Sequence, residues 1–93
     1  MFSGGSYEEV ARWLWNFLTS HAKRENVRAE IEVESGDERE GTSYGARVRL
    51  GQRVSAPTDF EFADVAANRG SLEWCARLAA NVREVVRDLA AAA

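Results

Sequence analysis

Cys75 and His21 are the lone thiol and the lone imidazole of the chain. Together they could form one nucleophilic device, a thiolate activated by a neighbouring ring. Cys75 falls about one turn into the last helical segment, where a helix N-terminus lowers a thiol pKa. No third residue in the sequence orients such a pair. The expectation is therefore a buried small side chain at Cys75 and a packed ring at His21.

The carboxylates offer little more. Asp37, Glu38 and Glu40 crowd one turn, but a calcium loop needs a dozen residues with alternating oxygen ligands and a closing glutamate. Glu30, Glu32 and Glu34 share one parity, with arginines nearby to compete for them. Gly41 to Gly45 and Asn68 to Ser71 hold glycines without phosphate-loop spacing. Arg69 beside the helix start at Ser71 could hold one anion. No GxSxG, HExxH, CxxC or dinucleotide fingerprint occurs. No catalytic residue, metal site or cofactor is expected.

The tryptophans and arginines are more informative. Trp13 and Trp15 project about 160° apart around a helix axis, so a two-layer domain cannot easily bury both. Trp13 neighbours Val10 and Phe17, whereas Trp15 neighbours Glu8, Arg12 and Thr19. The expected interface residues are Trp15, Arg12 and Thr19, with Trp74 at the edge of the last helix's apolar arc. An exposed tryptophan beside arginine is a favoured interface composition. Arg47, Arg49 and Arg53, with Tyr44, are the alternative set, a basic strand face for nucleic acid. Tyr44, however, has the parity of the buried face, and flanking acids cancel the field.

These residues sit on readable elements. Ser6 and Glu9 have capping-box spacing and open a helix over 6–24, with Tyr7, Val10, Ala11, Leu14, Phe17, Leu18, His21 and Ala22 on one face. Residues 27–34 switch to period two, with Val27, Ala29, Ile31 and Val33 inward. After a polar turn from Ser35 to Gly41, residues 43–50 alternate again, Tyr44, Ala46, Val48 and Leu50 inward. A bend at Gly51 and a break at Pro57 precede a short third strand with Phe60 and Phe62 inward and Asp59 and Glu61 outward. Residues 64–68 form a helical turn, and Ser71 caps a final helix over 72–90.

Putting the second strand in the middle places its arginines between acids. The register that sets Glu32 against Arg47 and Glu30 against Arg49 keeps Ile31 and Val48 inward. Arg53 is read with the outward arginines. The fold class is α+β: a two-layer sandwich in α-β-β-β-α order, a three-stranded antiparallel meander with two helices on one face.

Ninety-three residues at 45% hydrophobic and 29% charged make one globular domain, 1–93. Residues 1–5 are expected to be flexible and 91–93 to fray. A net charge of −3 argues against gripping nucleic acid through bulk charge. No stretch reads as a leader or a membrane span, so the cytoplasm is expected. Eleven of the twelve basic residues are arginine, and alanine is abundant; this reads as GC-rich coding in a bacterial host.

The element order resembles that of double-stranded RNA-binding domains. That resemblance covers most of the chain and is topological. It implies an RNA contact through lysines at the start of the last helix, where this chain reads Ser71-Leu-Glu-Trp-Cys-Ala-Arg77. One acid and one arginine do not make that clamp, so no binding residue carries over. The reading is a small cytoplasmic, non-catalytic interaction module, homo-oligomeric through the first helix and favouring a dimer. The alternative is a nucleic-acid-binding domain.

Overall fold

The computed structural model describes residues 6–35 and 39–92. The expected flexibility of residues 1–5, the turn acids Asp37 and Glu38, and the fraying of residue 93 lie outside them. Helix α1 spans Tyr7–Glu25 and opens with the capping box: Ser6 Oγ accepts from the Glu9 amide, and the Glu9 carboxylate accepts from the Ser6 amide. Val10, Leu14, Leu18 and Ala22 form its buried stripe.

Strand β1 spans Glu30–Glu34, shorter than its alternating pattern suggests. Residues 26–29 are spent on the reversal out of α1. Asn26 Oδ1 accepts from the Arg28 amide and the Asn26 carbonyl from the Ala29 amide, as in an Asx turn. Val27 is thereby 78% exposed rather than inward.

Strand β2 spans Ser43–Leu50 and pairs with β1 in the expected register, Glu30 with Arg49, Ile31 with Val48 and Glu32 with Arg47. Tyr44, Ala46 and Val48 face the core. The third strand is longer than expected and is interrupted. Strand β3, Arg53–Val54, returns along β2 through a two-residue turn, and strand β4, Thr58–Glu61, continues it. Gly51, the first turn residue, has φ +66°, which a side chain at that position would strain.

Arg49 pairs with Val54, whereas Ala46 pairs with Thr58. The residue numbers sum to 103 in one pair and 104 in the other, so the third strand carries one extra residue, a β-bulge. Ser55 bridges it: its Oγ accepts from the Val48 amide and its own amide donates to the Val48 carbonyl. Pro57, which has no N–H to give, falls in the same interruption.

Helix α2, Phe62–Asn68, follows β4 directly, so Phe62 opens a helix instead of ending a strand. Helix α3, Leu72–Ala91, is capped by Ser71 Oγ on the Trp74 amide and runs one residue further than expected. Trp13 meets Trp74 near the start of α3. Glu25, at the end of α1, takes Arg83 on one carboxylate oxygen and Arg87 on the other, at 3.3 and 3.2 Å. The two long helices therefore run side by side in the same direction. Both pack on one face of the sheet, with Val10, Leu14, Leu18, Ile31, Tyr44, Val48, Val65, Val82 and Val86 among the core residues between.

This facing has a measurable consequence. Ile31→Asp places a carboxylate in the core, a penalty of several kcal/mol that consumes most of the ~5–15 kcal/mol of a small domain; circular dichroism should show an unfolded chain. Glu32→Gln, on the solvent face, should shift chemical denaturation by less than ~1 kcal/mol.

Candidate interaction surface

The three tryptophans divide between the two flanks of α1. On the flank toward α3, Trp13 stacks on Phe17 at 5.1 Å and on Trp74 at 6.4 Å, and Phe17 packs on His21 at 4.5 Å. Trp13, Phe17 and His21 are four residues apart, so their rings form a ladder along the helix seam. Trp74, half-buried against Trp13, belongs to this seam. It does not join Trp15 as expected, because the parallel arrangement of the helices turns its ring toward α1. The sequence shows the four-residue spacing; that α3 completes the ladder follows only from the helix direction.

Trp15 lies on the opposite flank, 43% exposed, and its Nε1 donates to the Ile31 carbonyl at 2.9 Å. One hydrogen bond fixes the ring while leaving a broad face in solvent. Arg12 is exposed and Thr19 half-buried on the same flank. The buried Oγ1 of Thr19 has no hydrogen-bond partner among the described residues.

Trp15 also reports how β1 is oriented. Val48 spends its amide and carbonyl on Ser55 of the third strand. Its partner Ile31 forms no ladder bonds with it, and the Ile31 carbonyl therefore points outward from the sheet, where the indole meets it. The N–H and C=O groups of Val33 share that orientation. β1 is thus an edge strand with outward backbone groups beside an exposed tryptophan, while the other edge is broken by the bulge and Pro57.

The charged face of the sheet is closed by ion pairs, though along diagonals and not straight across. Arg49 bonds Glu32, its Nε at 2.8 Å, and Arg47 bonds Glu34 at 3.2 Å. Arg39, from the hairpin turn, lies over Gly45, where a Cβ would come within 2.5 Å of its guanidinium. From there it bridges Glu34 and Asp59, each at 3.5 Å, and donates to Ser43 Oγ. The small glycine makes room for this clasp, which the sequence hides because Arg39 falls in a turn.

Arg53 does not join Arg47 and Arg49. It pairs with Leu50, cross-strand partners share a face, and its Nη1 donates to the Leu89 carbonyl of α3. The fully buried Tyr44 is likewise withdrawn from that surface.

Cys75 is half-buried rather than enclosed, its Sγ 3.5 Å from the Arg69 carbonyl. His21 packs on Phe17, and desolvation pushes its pKa below the ordinary imidazole value, with the charges of Arg24 and Arg83 adding to the effect. Since Trp13 lies by Trp74 while His21 feels Arg83, the thiol and the ring sit about two helical turns apart along the seam. Among the described residues no group of three or more His, Cys, Asp or Glu could hold a metal ion. No helix there is long and apolar enough to cross a membrane.

No family model, curated protein or solved structure matches the chain. The likeness to double-stranded RNA-binding domains rests on element order, to which α2 is an addition.

Tyr44 gives this region a pH signature. Its hydroxyl donates to the Tyr7 carbonyl at 2.7 Å, and burial, with smaller contributions from Tyr7 and Glu8, pushes its pKa up to about 12. A phenol whose folded pKa exceeds the unfolded value of ~10 contributes stability that is complete below pH ~10 and lost as pH rises toward 12. Tyr44→Phe should cost ~1 kcal/mol near neutrality. It should also flatten the alkaline fall in stability, as read by denaturation at a series of pH values.

Proposed function

We propose that this domain is a non-catalytic interaction module that self-associates through the outer flank of α1, with Trp15 as the central contact and Arg12 and Thr19 around it. The observation that carries the reading is the Trp15 ring, 43% exposed yet pinned to the Ile31 carbonyl. A large aromatic held in one orientation loses little entropy on binding, the property of an interface anchor.

A two-fold contact is the simplest closed arrangement, α1 crossing its symmetry mate. Pairing β1 with a second β1 is disfavoured. An antiparallel pair centred on Glu32 would set that carboxylate against its own copy and Glu30 against Glu34, and like charges directly opposite are destabilising. The helix flank has no such row. Engagement of Arg47 and Arg49 with glutamates, and of Arg53 with α3, weighs against the nucleic-acid alternative. A single cysteine with no partner thiol fits a reducing compartment, and the cytoplasm is the proposed location.

Solution mass determined by light scattering over a concentration series tests the reading. The expected result is a dimer at ~100 µM, above the micromolar constants of ordinary interfaces. Trp15→Glu should give a monomer with an unchanged circular dichroism spectrum, whereas Trp13→Glu should lower stability by breaking the ring ladder. A wild-type chain that stays monomeric at that concentration overturns the proposal.

A further inference from the structure

The helix layer sits off-centre on the sheet. At the β1 edge it overhangs, since Trp15 of α1 reaches the outward carbonyl of Ile31. At the other edge it stops short. Tyr44 pairs with Phe60 and Ala46 with Thr58, and cross-strand partners share a face. Yet Tyr44 and Ala46 are buried, while Phe60 is half-buried and Thr58 exposed. The inner face of β4 is therefore only partly roofed, and a cleft of about 210 Å³ remains between β4, α2 and α3.

Phe60 from β4 and Asp64 from the first turn of α2 line it, with Trp74, Arg77, Leu78 and Asn81 of α3. Those four follow at three- and four-residue spacing, so one helix face supplies them. Trp74 is braced from behind by Trp13, which fixes the apolar wall. Asp64 meets no cation among the described residues. The same holds for Glu61 and Glu84 on open surface, but Asp64 shares a cleft with two aromatic rings and a guanidinium. Arg77 is held loosely, 3.8 Å from Glu73, farther than any other ion pair among the described residues. Both partners are largely exposed, and such a pair contributes little. A guanidinium has five N–H donors, so Arg77 can keep Glu73 and still bind a second carboxylate.

We propose that this cleft binds a free α-amino acid with an apolar side chain. Asp64 takes its ammonium, Arg77 and the Asn81 carboxamide its carboxylate, and Phe60, Trp74 and Leu78 its side chain. One acid and one base in apolar walls match a zwitterion, whereas a ligand of single charge leaves one of the two groups facing a like charge. The volume holds about seven waters at ~30 Å³ each, the bulk of one amino acid and too little for a peptide. The cleft lies at the opposite edge of the sheet from Trp15, so binding is independent of the self-association described above.

The test is a titration of the isotope-labelled full chain, followed by amide resonances, with L-phenylalanine to ~10 mM, a range that captures millimolar binding. Saturable shifts confined to β4, α2 and the first half of α3 are expected. Phenethylamine lacks the carboxylate and 3-phenylpropionate lacks the ammonium, so each should bind at least about tenfold more weakly, the loss of one charge-assisted contact. Glycine, with no side chain for the aromatic wall, should give no saturable shift. Asp64→Asn and Arg77→Gln should each weaken L-phenylalanine about tenfold. Both side chains are exposed, so the fold survives either change, and an unchanged amide spectrum away from the cleft verifies it. Absence of saturable shifts at the highest concentration overturns the proposal. So do shifts centred elsewhere, either analogue or glycine binding as tightly as L-phenylalanine, or unchanged affinity in either variant.

Discussion

A fully buried tyrosine must find a partner for its hydroxyl, and Tyr44 finds it in the carbonyl of Tyr7. The two rings stack at 4.7 Å, Phe62 packs edge-on against both, and the Tyr7 hydroxyl returns a bond to the Ser43 carbonyl. Central strand, first helix and the start of α2 are thus tied at one point by reciprocal hydrogen bonds and ring contacts. An unpaired buried hydroxyl costs more than the net worth of most bonds. That cost sets where α1 sits on the sheet, and hence which flank of α1 meets α3 and which meets the edge of β1.

From that placement the division of the tryptophans follows. One flank of α1 closes against α3 through stacked rings, the other ends in Trp15 against the Ile31 carbonyl. The ring is both a support of the fold and an exposed surface. It occupies one outward carbonyl of a strand that would otherwise offer its backbone to any passing chain. The glutamates of β1 add repulsion against self-pairing, while their arginine partners keep the outer face soluble without a strong net field.

The fold was largely legible because its signals are periodic. The helix starts, the alternation over 43–50, the Glu30 to Arg49 register and the inward parity of Tyr44 each rest on local patterns that tertiary context did not override. Errors fell where a single residue changes the path. The Asn26 turn took Val27 out of β1, and one extra residue near Pro57 split the third strand. The two-residue turn at Gly51 carried Arg53 to the helix side. Of the candidate site, Trp15 and Arg12 were readable from helical spacing. The Trp74 contact was not, since it depends on the direction of α3.

The parallel course of α1 and α3 also shapes how the chain reaches this structure. Glu25 meets Arg83 and Arg87 across separations of 58 and 62 residues, so the helix pair cannot form until the intervening sheet has brought its ends together. The β1–β2 hairpin closes over a short loop and incurs little closure entropy. The ring ladder and the Glu25 clamp are non-local and gain nothing until that cost has been met. Such topology places helix docking late on the folding route and slows it relative to a helical bundle of the same length. Until then the aromatic edge of α1 is uncovered, and Trp13 and Phe17 are as exposed as Trp15 remains in the finished domain.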